Sequence, residues 1–266
     1  MMRVLSLGAG VQSTTMALMA AHGEIEPPDF ALFADTGAEP RPVYDHLKWL
    51  MSGNVLPFPV HIVSSGNLRA DLLAGVNTTG HRFVGIPFHG VTPDGTAMMA
   101  RRQCTEEYKL KPIRAFIRDR LGSRRPPAGA CQMMVGISRD EIERMKPSRV
   151  QYITNVWPLI DLGVRRWDCL QWLRRNGYPE PPKSACGECP FRKNEEWRWL
   201  RDNDPASFTE VCGVDVALRE GGRAGRFDST LYLHRSLVPL AEADIRSDED
   251  RGQRNWINEC EGMCGV

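Results

Sequence analysis

The sequence has no apolar run that approaches the ~20 residues of a membrane-spanning helix. It also lacks the layout of a secretory leader, because Met1-Met2-Arg3-Val4-Leu5-Ser6 runs straight into a strand-like stretch. Both absences speak against a membrane partner and make the cytoplasm the expected location. There is no excess of charge of one sign: 34 Lys and Arg face 33 Asp and Glu, for a net charge of +1. A nucleic-acid partner would therefore need a local basic patch rather than a global polycation. No internal repeat or low-complexity tract is present.

The 266 residues are 42% hydrophobic, which supports one large α/β domain or one domain with an appendage. Strand-like runs at 3–7, 30–34 and 59–63 alternate with helical patterns at about 13–21 and 40–51. That order predicts a doubly wound parallel sheet. Residues 75–97 are rich in Gly, Thr and Pro and read as a long loop over a site. A helix is expected at about 106–121, strands at 132–137 and 152–155, and an amphipathic helix at 165–176. After Tyr178 the chain turns to prolines, a Cys pair and a Trp/Arg-rich helix. The expected division is a nucleotide-binding domain over 1–180 and a small Cys-containing helical extension over 181–266.

Ser6-Leu7-Gly8-Ala9-Gly10-Val11-Gln12-Ser13-Thr14 joins the first strand to the first helix. Glycines there let backbone N–H groups approach a phosphate, and the helix points its positive end at the anion. Ser13 and Thr14 add hydroxyl donors. The segment is neither a Walker loop, since no Gly-Lys-Ser/Thr closes it, nor the dinucleotide fingerprint, since the third glycine is missing. A tight turn with a serine cap would give the same local shape. Asp35-Thr36-Gly37 ends the second strand, the edge at which open α/β sheets bind ligands.

Five segments in order carry a resemblance. They are the glycine loop with its Ser13-Thr14, Asp35-Thr36-Gly37 with Tyr44 beyond, Arg102-Gln103-Cys104 with Lys109, Gly136-Ile137-Ser138-Arg139 with Arg144, and the Trp157-to-Pro179 stretch that leads to Cys186 and Cys189. Together they resemble the PP-loop superfamily, and within it the phosphoadenylyl-sulfate (PAPS) reductases. Gln12 stands where many members carry Asp, and a single Cys104 stands where cluster-bearing relatives have two adjacent Cys. The resemblance implies that ATP or PAPS is held by Ser6, Gly8, Ala9, Gly10, Gln12, Ser13, Thr14, Asp35, Thr36, Gly37, Gly136 and Arg144. It further implies that Arg139 contacts a sulfo group.

Cys186-Gly187-Glu188-Cys189 is a pair of thiols spaced to grip one metal or one cluster edge. By family analogy Cys104 is the third ligand, and Cys260 is a further candidate. The metal would be an iron–sulfur cluster, or zinc as the alternative. Glu259-Cys260 also matches the start of the reductases' C-terminal motif, which implies Cys260 as nucleophile and Cys264 as a resolving thiol. Cys131, Cys169 and Cys212 read as structural.

Three functions follow from these readings. The first is a thiol-dependent reductase of an adenylylated sulfate, served by a thiol reductant protein. The second is an ATP pyrophosphatase that installs sulfur in an adenylated substrate, a nucleic acid among the candidates, with magnesium on its pyrophosphate. The third is a non-enzymatic nucleotide- and metal-binding module.

Overall fold

The computed structural model describes residues 1–81, 85–220, 229–247 and 250. Its centre is a parallel sheet of β1 (Met2–Ser6), β2 (Phe30–Asp35), β3 (Val60–Ser64), β6 (Cys131–Val135) and β7 (Ile153–Val156), in the order β3-β2-β1-β6-β7. The strands alternate faces with a period of two. Leu5, Ala31, Phe33 and Met134 face α1 (Val11–Ala21), α2 (Arg41–Leu50) and α6 (Arg166–Arg175). Val4, Leu32, Val63 and Met133 face α4 (Lys111–Arg120) through Ile113 and Ile117. With helices on both faces, β2 is buried along nearly its whole length. This is the expected doubly wound α/β fold.

A second core lies at one end of that sheet. α3 (Leu68–Ala74), α7 (Asn194–Asn203) and α8 (Pro205–Glu220) bury Leu68, Leu72, Trp197, Leu200, Val211 and Val214. A small antiparallel sheet of β4 (His89–Val91), β5 (Ala97–Met99) and β8 (Thr230–Tyr232) covers it, in the order β5-β4-β8. Segments on both sides of residue 180 thus share this core, and the expected loop over 75–97 contains β4 and leads into β5.

The helix expected at 106–121 starts with a wider turn. Thr105–Leu110 is π-helical, and the Lys111 N–H reaches back to Glu106 O. Pro112 explains the widening: it has no N–H to donate, and its ring would press on the carbonyl one α-turn back. A short α5 (Pro158–Asp161) follows β7. Among the described residues no helix is long and apolar enough to cross a membrane.

Candidate functional site

Strand order reverses between β1 and β6, and ligands of open α/β sheets bind outside the carboxyl ends at such a point. A cavity of about 370 Å³ opens there, within the usual range for small-molecule sites. Ser6, Gly8, Gly10, Gln12 and Ser13 line it from the end of β1, Val135 and Gly136 from the end of β6, and Thr36 from the end of β2. A Cβ at Gly136 would fall 2.9 Å from Ser13 N, so only glycine lets the β6 end close onto the first turn of α1.

The glycine loop is preformed. Ser13 Oγ accepts from Gly8 N at 3.2 Å and from Gly10 N at 3.3 Å. Ala9 sits between them with φ at +56°, a left-handed conformation that costs free energy and recurs at functional sites. Thr14 is fully buried, and its hydroxyl lies 3.1 Å from His46 Nε2, so it ties α1 to α2 rather than facing the cavity. Burial lowers the His46 imidazole to about 4.

The cavity is rich in cations. Arg102, Lys109, Arg144, Arg166 and Lys183 line it, against the two carboxylates Glu141 and Glu188. Both carboxylates are engaged: Glu141 with Arg144 at 2.6 Å, and the fully buried Glu188 with Arg69. Gln12 is saturated from both sides. Its amide donates to Glu141 at 3.1 Å and to Ser138 at 3.4 Å, and its carbonyl accepts from Arg166 at 2.9 Å. Arg166 and Arg102 thus meet neutral partners, the Gln12 carbonyl and the Phe191 ring. The arrangement suits an anionic ligand.

The cavity also carries thiols. Cys104, Cys186 and Cys189 all line the same cavity. The Cys186 thiol donates to Glu39 Oε1 at 3.4 Å and lies 3.3 Å from the Thr36 hydroxyl. Burial, then Glu39, pushes the Cys186 thiol well above its usual range. Lys109 reaches Glu39 at 3.3 Å, and that carboxylate holds its ammonium charged. By type, three thiols fit a metal or cluster. By arrangement they do not, because among the described residues no three His, Cys, Asp or Glu come together as a metal site.

Of the residues expected to hold a nucleotide, Ser6, Gly8, Gly10, Gln12, Ser13, Thr36, Gly136 and Arg144 line the cavity. Ala9 and Thr14 shape the loop from behind it. Asp35 accepts from Gly37 N at 2.8 Å and from the Tyr44 hydroxyl at 2.7 Å, so it braces the turn after β2. Gly37 holds φ at +67°, where a Cβ would strike Asn67. Arg139 is exposed, and its backbone N–H bonds Val164 O. Cys260 and Cys264 lie outside the described residues. Cys131 and Cys169 are fully buried, with burial raising their thiols to about 11 and about 12. Sequence reasoning missed Lys183 and Ser184, which sit in an unpatterned proline-flanked loop. Arg166 reaches the cavity from the first turn of α6.

No protein-family model matches the sequence, and no curated protein matches it. Solved structures similar to the chain include a phosphoadenylyl-sulfate (PAPS) reductase from Candida auris, in a phosphate complex. The identity is 13%, over 67% of this chain and 74% of that chain, with a TM-score of 0.41. The U34-tRNA thiolase NcsA from Methanococcus maripaludis, solved with its [4Fe-4S] cluster, is 14% identical over 82% of this chain and 72% of that chain, with a TM-score of 0.39. The fold assignment follows from the sheet order and the glycine loop themselves.

Proposed function

We propose that this chain is an adenine-nucleotide-dependent enzyme of sulfur chemistry, acting as a thiol-dependent reductase of an adenylylated sulfate. The observation that carries the reading is a glycine loop at a helix N-terminus that opens into a cavity lined by Arg102, Lys109, Arg144, Arg166 and Lys183. Phosphates would lie against the Gly8–Ser13 turn and the α1 N-terminus. Arg166, Arg102 and Arg144 would hold the remaining phosphate and sulfo oxygens. Both carboxylates of the cavity are bound to arginines, which favours charge neutralisation by side chains over a carboxylate-held magnesium ion.

The reaction balances as two displacements. A cysteine thiolate attacks the sulfo sulfur, an S–S bond forms, and the S–O bond breaks with its electron pair leaving on the nucleotide phosphate. A second thiolate then attacks the cysteine sulfur and expels sulfite, which leaves a disulfide. A dithiol reductant protein supplies two electrons to restore the thiols. Cys260 as nucleophile and Cys264 as resolver remain the sequence-based assignment.

The Cys186–Cys189 spacing, with Cys104 lining the same cavity, also favours a second reading, sulfur transfer to an ATP-adenylated substrate. Incubation with PAPS followed by intact-mass analysis separates the two. The reductase reading expects an S-sulfonate on Cys260 that lasts longer in Cys264→Ala. No adduct, together with pyrophosphate release from ATP, would establish the second reading instead.

A further inference from the structure

Residues 182–186 and 188–190 line the cavity and carry two of its thiols, Cys186 and Cys189. Three observations fix how they are held. First, the half-buried Ser184 donates its hydroxyl to the Gly8 carbonyl. A bare carbonyl beside a bound phosphate would repel it, and this hydrogen bond occupies that oxygen. Second, Gly10 has φ −101° and ψ 179°, an extended backbone open to any residue. Yet a Cβ there would lie 2.9 Å from Ser184 Cβ, so Ser184 rather than backbone strain demands glycine at position 10. Third, the thiol end is pinned to other elements. Gly187 N donates to Ala38 O at 2.7 Å, Arg192 holds the carbonyls of Ala185 and Cys186 at 2.7 and 3.2 Å, and Glu188 is paired with Arg69.

We propose that Ser184 is a positioning residue that couples phosphate occupancy of the Gly8–Ser13 loop to the accessibility of the Cys186 and Cys189 thiols. The segment acts as a short lever, with Ser184 resting on the phosphate loop two residues before Cys186. A phosphate seated on the preformed loop would steady Ser184, and through it the approach to the two thiols. A bulky adduct on the thiols should in turn displace the segment and weaken phosphate binding. This rests on the nucleotide reading of the cavity.

The test uses inorganic pyrophosphate and PAPS as probes. Binding is measured by calorimetry, and alkylation of Cys186 and Cys189 by N-ethylmaleimide is followed by peptide mass spectrometry. In the wild type, saturating pyrophosphate should slow alkylation about fivefold, and alkylated protein should bind pyrophosphate about fivefold more weakly, a coupling of the usual size. Ser184→Ala should still bind pyrophosphate but show both effects reduced below about twofold, and Ser184→Thr should restore them. Simple shielding of the thiols by the ligand would leave the protection unchanged in Ser184→Ala, and that result overturns the proposal. A wild type that binds neither probe overturns the nucleotide reading, and the coupling with it. Binding with equal protection in wild type and Ser184→Ala overturns the coupling alone.

Discussion

The wall of the cavity made by residues 6–13 and 135–136 comes from the ends of two adjacent strands, β1 and β6. The thiol wall draws instead on the π-helical turn after Cys104 and on residues 182–190, segments brought together only by the second core. The first wall presents backbone: glycines at 8, 10 and 136 and the first turn of a helix. The second presents side chains: thiols, Lys109 and the carboxylates behind them. A backbone wall tolerates no added atoms. A side-chain wall is tuned by charge and tolerates substitution of similar shape.

The largest expected effect tests that contrast directly. Gly10→Val drives a branched side chain into Ser184 and should weaken ATP and PAPS binding about a hundredfold, at the upper end of the ~1–3 kcal/mol of overpacking. Cys186→Ser is nearly isosteric and should leave nucleotide affinity within about threefold. Calorimetry on both variants checks this, and equal losses would erase the distinction between the walls.

A smaller effect concerns what holds the backbone wall in place. Burial lowers His46 to about 4, below the usual 6.5, so the neutral ring contributes stability that is present above pH 6.5 and lost as pH falls toward 4. The loss between pH 7 and 5 should be about 2 kcal/mol by proton linkage. Urea unfolding at the two pH values should show a larger drop for the wild type than for His46→Gln, which lacks this titration.

The next concerns charge. Gln12→Asp gives Arg166 an ionic partner in place of the Gln12 carbonyl and sets a second carboxylate beside Glu141. Magnesium-free PAPS should then bind about tenfold more weakly, the size of one charged hydrogen bond, and added magnesium should narrow the gap for ATP. Titrations with and without the ion check this. The smallest effect is expected for Ser13→Ala. It removes the oxygen that Gly8 N and Gly10 N share, and should weaken binding about fivefold, near the ~1 kcal/mol of a neutral hydrogen bond.

What could be read in advance divides along the same line. The strands of the sheet carry apolar runs, and the glycine loop is continuous in sequence, so both were legible. The turn Asp35-Thr36-Gly37 was legible as a turn. Its division of labour was not: Thr36 faces the cavity while Asp35 braces Tyr44. Arg139 and Arg144 look alike on the sequence, yet the 3₁₀ turn at Arg139–Arg144 leaves the first exposed and brings the second to the cavity. Thr14 reads as a phosphate donor, yet its hydroxyl lies on His46, a residue 32 positions away that no pattern singles out.

The sequence by itself determined the central strands and the order of the parallel strand–helix units, because hydrophobic period and glycine placement act over a few residues. It also placed a glycine loop at the end of the first strand. Only the tertiary structure decided that Cys104, Cys186 and Cys189 share a cavity with that loop, that Arg166 enters it, and that Ser184 rests on Gly8. These pairs are separated by up to 176 residues, and their meeting depends on the packing of the second core, which no local rule encodes.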